Sequence, residues 1–293
     1  MTVLDDRATA GPASQWAAEV DFAADVARSA GAILMDRYER LERIHHKSAR
    51  DVVTEADHLS EAHIIESIRA RFPADAILAE ESGAHEGRPR PVPAQPSAPD
   101  TEPQRSAART WVIDPLDGTV NYANGLPVFC VSIGFVVDGR PAAGVVLDPT
   151  RDELFAATDD GPATLNDRPI VASPKPKLSD YVISLSLSGR SVASRARAIR
   201  REIRISRSMG SAALALAYVG NGRFDAFVQE TSMSAWDVAA AGLIAERGGA
   251  MVTAFDGSSW FDSSRPVRGV GIVAAPSRHH ARLLALSRTE PGR

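Results

Sequence analysis

A strand that ends in two carboxylates constrains this chain more than any other feature of the sequence. The apolar run 111–113 leads directly into Asp114, and Asp117 follows three residues later. Pro115 fixes its own backbone angle φ and holds Asp114 in an extended conformation, while Gly118 permits a close backbone approach. Both carboxylates can therefore point to one place at the end of the strand.

Two converging carboxylates need a compensating charge. Two unit charges about 4 Å apart repel by about 4 kcal/mol at an effective dielectric constant of 20. No Arg or Lys occurs between residues 111 and 139, so a divalent cation is the simplest compensation. A purely oxygen ligand set favours Mg²⁺, Mn²⁺ or Ca²⁺ over zinc. The alternative is an Asp-rich turn, in which Asp114 and Asp117 serve the backbone, and this stretch alone leaves both open.

The residues that follow the two carboxylates favour an anion site. Gly118 and Thr119 come next, and if a helix begins there its free N–H groups can bind a phosphate. Carboxylates that hold metal beside such a site indicate metal-assisted phosphate hydrolysis.

Three other acidic positions support the metal interpretation. Glu80 follows the apolar run 76–79, Asp57 precedes a predicted helix, and Asp237 lies in the first turn of another. Taken singly, Asp57 is best explained as a helix cap and Asp237 as a favourable charge at a helix N-terminus. Four acidic sites at the ends of elements, in a chain without another catalytic motif, together favour a metal centre.

Composition excludes several classes of function. The 293 residues carry a net charge of -4, which gives no support for nucleic-acid binding through a basic surface, so we expect a small-molecule partner and no nucleic acid. The single cysteine, Cys130, excludes an intrachain disulfide and a thiolate-rich metal site. No apolar run approaches the ~20 residues of a membrane span, and the first residues lack a secretory pattern, so we expect no membrane contact and a cytoplasmic location.

Helix-type and strand-type patterns alternate irregularly, which predicts a layered α+β fold rather than a regular βαβ repeat. We expect residues 1–15 to be disordered and 16–290 to form one domain, with an N-terminal half to about residue 180 and a C-terminal half from about 181. Proline density in 85–109 predicts a long surface loop. The predicted helices are 17–43, 59–71, 210–218, 236–247 and 277–286, and the predicted strands are 76–79, 128–137, 142–147, 153–158, 181–187, 224–229, 250–254 and 270–275.

These motifs together resemble the inositol monophosphatase family of Mg²⁺-dependent, lithium-sensitive phosphatases. The similarity runs from about residue 17 to 286, and its most specific parts are WVIDPLDGT at 111–119 and WDVAAAG at 236–242. DVVTEAD at 51–57 and EES at 80–82 precede them in the same order. The resemblance implies an αβαβα sandwich of the sugar phosphatase type, usually a homodimer.

The resemblance also implies a ligand set for two or three Mg²⁺ ions, with Mn²⁺ as a substitute. Glu80, Asp114 and the carbonyl of Leu116 would hold one ion. Asp114, Asp117 and Asp237 would hold a second, and a third would bind more weakly near Glu80.

Further roles are carried over in the same way. Asp57 and Thr119 match the pair that orients and deprotonates the attacking water, and with Glu80 they form the implied catalytic set. Glu230 falls on the position that reads sugar hydroxyls, and Lys47 matches a lysine on a mobile loop near the metal. The implied substrate-binding residues are Lys47, Asp117, Gly118, Thr119, Gly210, Ser211, Ala212 and Glu230.

The expected activity is Mg²⁺-dependent phosphomonoester hydrolysis, as an inositol-1-monophosphatase, by in-line attack of metal-activated water. Fructose 1,6-bisphosphate, histidinol phosphate, NADP and adenosine 3',5'-bisphosphate remain alternative substrates. The segment 188–207 looks shorter than in typical members, and it walls the substrate site, so substrate identity stays open. A non-catalytic regulatory or interaction protein on the same scaffold is a further alternative, and the intact acidic set argues against it.

Other hydrolase classes fit less well. Haloacid-dehalogenase phosphatases use Asp-x-Asp, whereas Asp114 and Asp117 have two residues between them. A cysteine phosphatase would need an arginine shortly after Cys130, and none occurs, so Cys130 is better interpreted as a small core residue. Gly-x-Ser-x-Gly is absent. The arginine-rich run 195–207 is typical of a solvated helix face, although it could also meet a second phosphate.

Overall fold

The structure is a computed structural model that describes residues 14–40, 44–48, 51–88, 108–189, 191–262 and 267–288. Ser14 and Gln15, predicted as part of a disordered N-terminus, both donate hydrogen bonds to the carboxylate of Asp160. The rest of that predicted segment lies outside the described residues. Within the described chain, no helix is long and apolar enough to span a membrane.

The described residues form seven α-helices and a short 3₁₀ turn at Leu178–Asp180. The helices are α1 (Ala17–Arg37), α2 (Glu55–Arg71), α3 (Thr119–Ala123), α4 (Val192–Glu202), α5 (Ala212–Gly220), α6 (Ala235–Arg247) and α7 (Ser277–Arg288).

The strands of the described residues form three sheets, with two, eight and five strands. The eight-stranded sheet has the order β10-β9-β8-β7-β6-β5-β3-β4, and the five-stranded sheet has the order β12-β11-β13-β15-β14. The strands are β1 (Ile44–Ser48), β2 (Asp51–Thr54), β3 (Ala76–Ala79), β4 (Gly83–His85), β5 (Arg109–Asp117), β6 (Cys130–Val137), β7 (Arg140–Asp148), β8 (Glu153–Thr158), β9 (Thr164–Leu165), β10 (Arg168–Pro169), β11 (Val182–Ser186), β12 (Ile205–Arg207), β13 (Ala226–Ser234), β14 (Met251–Ala254) and β15 (Arg268–Ala275).

The three largest apolar cores of the described residues stack the elements into five layers. The first core packs α1 and α2 on the outer face of the eight-stranded sheet. The second places α5 and α6 between the two large sheets, and the third packs α4 and α7 on the outer face of the five-stranded sheet. Because helices cover both faces, the central strand β5 is apolar along most of its length. The predicted αβαβα sandwich is confirmed.

Two glycines let α6 approach the eight-stranded sheet closely. A Cβ added at Gly134 would lie 2.7 Å from the Cβ of Ala239, and one at Gly144 would lie 2.7 Å from the Cα of Ala240. The matching positions on α6 are alanines, so the two backbones meet with little side-chain volume between them. This contact fixes α6, and with it Asp237 in the first turn, against the sheet that carries Asp114.

Most predicted elements are present, with shifted ends. Helix α2 begins at Glu55 rather than at residue 59, because the capping box formed by Thr54 and Asp57 starts it earlier. His85, the last residue of β4, and Arg109, the first residue of β5, fall inside the predicted loop 85–109 at its two edges, while 89–107 lie outside the described residues. Helix α1 ends at Arg37, six residues before its predicted end.

Candidate metal centre

A bulge in β5 explains why Asp114 and Asp117 can converge. In a regular strand, residues three apart point to opposite faces of the sheet. Here Asp114 pairs with Ser132 while Asp117 pairs with Cys130, so three steps on β5 match two steps on β6. The one extra residue, next to Pro115, turns both carboxylates to the same side.

Carboxylates from different segments gather at this bulge. Asp114, Asp117 and Asp237 each offer an oxygen, and the three oxygens lie within 4.8 Å of one another. Asp114 is 1% exposed and Asp117 is 8% exposed. The carboxyl of Glu80, which follows β3, lies within hydrogen-bonding reach of Asp114. The structure therefore brings together the four predicted acidic ligands.

Burial and mutual repulsion change the titration of these groups. Burial raises the pKa of Asp114 well above its usual value, and the charges of Glu80, Asp117 and Asp237 raise it further. Burial likewise raises the pKa of Asp237, with Asp117 as the next cause. Several buried anions this close are stable only if protons or a cation neutralise them. An all-oxygen, buried donor set of this kind fits a hard divalent cation such as Mg²⁺ or Mn²⁺.

Asp117 also joins the metal centre to the N-terminus of α5. Its carboxylate accepts hydrogen bonds from Ser211 Oγ at 2.6 Å, from the Ala213 amide at 2.7 Å and from the Ala212 amide at 3.2 Å. These bonds partly oppose burial, which still raises the pKa of Asp117. The predicted substrate turn at Gly210, Ser211 and Ala212 consequently lies beside the carboxylates.

The residues at the start of α3 combine a special backbone conformation with a hydroxyl. Gly118 has φ +102°, and a Cβ there would lie 2.9 Å from the Val128 carbonyl oxygen, so glycine suits both the turn and the close approach. Thr119 begins the five-residue helix α3 directly after it. The helix start that the sequence analysis considered as a condition for an anion site is therefore present.

Asp57 and Thr119 form a pair beside the bulge. Thr119 Oγ1 lies 3.0 Å from Asp57 Oδ1 and 3.0 Å from the Leu116 carbonyl oxygen, and its one hydrogen can be donated to either. The other oxygen of Asp57 accepts the Thr54 amide at 2.8 Å. Asp57 is fully buried, and burial raises its pKa to about 6. Asp57 thus caps α2, as a helix cap would, and also contacts the predicted catalytic threonine.

Two predicted substrate residues, Glu230 and Lys47, are not among the described residues of the carboxylate cluster. Glu230, on β13, accepts two hydrogen bonds from the guanidinium of Arg195, at 2.8 and 2.9 Å, and one from the Ser188 amide at 2.9 Å. The hydrogen bonds from Arg195 lower the pKa of Glu230. Lys47 lies on strand β1, and its side chain lies outside the described residues.

The interpretation of 195–207 as a solvated helix face is wrong for its first residue. Arg195 is 7% exposed and also donates to the backbone carbonyls of Ser188 and Ser287. The sequence did not indicate that Arg195 is buried, because an arginine-rich run is usually exposed to solvent. Cys130 is fully buried, and burial raises the pKa of its thiol well above the usual value, which agrees with its interpretation as a core residue.

Helix α2 contributes two residues that sequence reasoning missed. Ser60 Oγ donates to the Pro115 carbonyl oxygen at 3.0 Å, inside the bulge. Glu61 accepts the amides of Glu81 and Ser82. The signal available in the sequence was their spacing of three and four residues from Asp57, which places all three near one face of the helix.

The layered fold and its buried carboxylates define a class of protein with a candidate divalent-metal centre at the end of strand β5 in the eight-stranded sheet. The family model of the inositol monophosphatase family matches residues 16–291. The chain belongs to the inositol monophosphatase family, as its motifs predicted.

Individual relatives agree with this assignment. The Nus factor SuhB of Pasteurella multocida is 37% identical over 265 residues, which cover 88% of this chain and 91% of that protein. The fructose-1,6-bisphosphatase/inositol-1-monophosphatase of Thermotoga maritima is 34% identical over 243 residues, covering 81% and 85%. The crystal structure of the extragenic suppressor protein suhB from Bartonella henselae is similar with a TM-score of 0.80 and 29% identity, covering 94% of this chain and all of that chain.

Proposed function

We propose that the protein is a Mg²⁺-dependent phosphomonoester hydrolase with inositol 1-phosphate as its preferred substrate. The observation that carries the proposal is the convergence of the buried carboxylates with the Asp57–Thr119 pair at one bulge. A cluster that served only the fold would not place several anions within reach of one another, since each would cost stability.

The cluster and the family resemblance together suggest which residues would hold the metal. Asp114, Asp117 and Asp237 would share one ion, and Glu80, Asp114 and the Leu116 carbonyl would hold another, with a weaker third near Glu80. Bound divalent cations supply the positive charge that activates an attacking water and stabilises the leaving oxygen.

The remaining steps belong to the protein's own groups. Thr119 orients the attacking water, and Asp57 receives its proton through the hydroxyl of Thr119. A pKa of about 6 leaves Asp57 largely ionised at neutral pH, yet close enough to that pH to accept a proton efficiently. The amides of Gly118 and Thr119, with the turn at Ser211, would bind phosphoryl oxygens.

The substrate proposal depends on Glu230. Held by Arg195, its carboxylate is kept ionised and offers acceptors only, which suits a polyol whose hydroxyl groups donate hydrogen bonds. The name of the Thermotoga maritima relative covers fructose 1,6-bisphosphate as well as inositol 1-phosphate. Fructose 1,6-bisphosphate is therefore the main alternative substrate, followed by histidinol phosphate, NADP and adenosine 3',5'-bisphosphate.

A panel of substrates tests the proposal. Orthophosphate release should require Mg²⁺, should be fastest with inositol 1-phosphate and should be lost in Asp114→Asn. Rapid release in the presence of a chelator, or equal release by Asp114→Asn, would contradict the metal-dependent mechanism. A preference for a nucleotide would refute only the substrate assignment. Inhibition by lithium is an additional expectation of this proposal.

A second candidate function is that of a Nus factor, and it is suggested by the names of the relatives. Proteins named Nus factor SuhB, from Pasteurella multocida and other bacteria, are 35–37% identical to this chain. Such a role would not need hydrolysis. Complementation of a Salmonella typhimurium strain that lacks its Nus factor SuhB separates the two functions. Rescue by both wild type and Asp114→Asn would support the second role, and failure of both would count against it.

We also propose that the chain forms a homodimer and acts in the cytoplasm. Light scattering should then give about twice the chain mass of 31.2 kDa. A mass of one chain at micromolar concentration would contradict the dimer.

A further inference from the structure

One face of α2 contacts three segments that meet at the candidate metal centre. Asp57 contacts Thr119, Ser60 contacts the carbonyl of Pro115, and Glu61 contacts the turn that follows β3. The first contact reaches the start of α3, and the second reaches the bulge of β5. The third reaches the separate segment that carries Glu80.

The contact of Glu61 is specific in geometry. Its carboxylate is buried, with 4% of the residue exposed, and each oxygen accepts one backbone amide. Oε2 lies 2.8 Å from the Glu81 nitrogen, and Oε1 lies 2.9 Å from the Ser82 nitrogen. These amides belong to the three-residue turn 80–82 between β3 and β4. A carboxylate that bridges two successive amides fixes the plane and the direction of the peptide between them.

This turn decides where Glu80 points. Glu80 is its first residue, and its carboxyl reaches Asp114. Since Glu61 directs each of its oxygens to an amide of the turn, it is oriented toward the backbone rather than toward the cluster. We propose that Glu61 is a positioning residue, which holds the turn so that Glu80 can serve as a metal ligand. The inference rests on the proposed function, in which Glu80 binds the metal.

The chemistry of the contact requires a carboxylate. Glutamine offers one acceptor oxygen, and its NH₂ group would face the second backbone N–H, so Glu61→Gln leaves one buried amide without an acceptor. Glu61→Asp keeps the charge and both oxygens but shortens the side chain by one methylene group. Glu66 lies on the same helix and is exposed, so Glu66→Gln is a matched control for the loss of one charge.

The test measures Mg²⁺ binding to each protein by isothermal titration calorimetry and amide hydrogen exchange in the segment 77–84. Residues that orient metal ligands by hydrogen bonds typically contribute about 10- to 100-fold to metal affinity. Because Glu61 acts through the backbone, we expect an apparent Mg²⁺ dissociation constant about tenfold higher in Glu61→Gln. The amides of Glu81 and Ser82 should exchange faster, and Glu66→Gln should match the wild type in both measurements.

The outcomes separate this inference from the proposed function. If the wild type binds Mg²⁺ and Glu61→Gln binds it equally well, the inference is overturned and the proposed function stands. If the wild type binds no Mg²⁺, both fail. A lower melting temperature with unchanged affinity would indicate a purely structural role and would also overturn the inference. Should Glu61→Gln not fold, the same loss of affinity is expected in Glu61→Asp, and wild-type affinity there would refute it.

Discussion

Replacing Asp114 by asparagine should stabilise the metal-free protein and remove its response to Mg²⁺. Asp114 lies within 4.8 Å of two other carboxylates, and two unit charges at that distance repel by about 3 kcal/mol at an effective dielectric constant of 20. The metal-free protein relieves part of this repulsion by binding protons, in agreement with the raised pKa of Asp114. Asparagine keeps an oxygen that can accept the Leu116 amide, now bonded at 3.0 Å.

The net gain should be about 1–3 kcal/mol at neutral pH, because proton uptake lowers the full repulsion. In chains of 150–250 residues, about 1 kcal/mol shifts the melting temperature by about 2–4 °C. Asp114→Asn should therefore melt several degrees above the wild type in a chelator. Since the folded-state pKa of Asp114 lies above its unfolded value, the contribution of Asp114 to wild-type stability falls as pH rises from about 4, so the advantage of the variant should grow with pH.

Thermal denaturation followed by circular dichroism, with a chelator and with Mg²⁺, measures both effects. The wild type should be stabilised by Mg²⁺ and the variant should not. Asp117→Asn is the matched control, because it removes the same charge but weakens the bonds from Ser211 and Ala213, and it should melt below Asp114→Asn. A chelated Asp114→Asn that melts below the wild type, or that gains as much from Mg²⁺, would refute the reasoning.

Three further predictions follow from single contacts. Asp57→Asn should lower kcat for phosphate release about 10²- to 10⁴-fold, the usual contribution of a general base, with Mg²⁺ affinity retained; a change in affinity alone would argue against that role. Burial lowers the pKa of His280, so its contribution to stability is present above pH 6.5 and is lost as pH falls; His280→Gln should flatten the decline in melting temperature between pH 7 and 5, and an identical decline in both proteins would contradict this. Gly144→Ala should cost about 1–3 kcal/mol in urea unfolding and weaken Mg²⁺ binding, because the new methyl group meets Ala240 and displaces α6; an unchanged midpoint would refute the close-packing argument.

The sequence predicted which acidic residues lie together better than the means by which they converge. Acidic residues at the ends of apolar runs were visible directly. Asp57, considered as a cap before the helix, instead lies in its first turn and completes the capping box of Thr54. The bulge next to Pro115 was not predictable, because it appears only as a mismatch of register between β5 and β6. A period-two pattern contains no information on which partner residue stands opposite.

Contacts between polar residues that are far apart in the sequence were also not predictable from the sequence. Glu61 and the amides of Glu81 and Ser82 are about 20 residues apart, and Arg195 and Glu230 are 35 apart. Charged side chains such as Glu and Arg are rarely buried without a partner. Each is therefore expected to be exposed to solvent until its partner is known. The helical face that carries Asp57 could have suggested Glu61, whereas no local pattern pairs Arg195 with Glu230.

Crystals grown with Mn²⁺ and measured at the manganese absorption edge would test the central claim most directly. We predict an anomalous peak in contact with the carboxylates of Asp114, Asp117 and Asp237 and a second one beside Glu80. A fully folded protein that shows no peak at these carboxylates in millimolar Mn²⁺ would contradict the proposed metal centre.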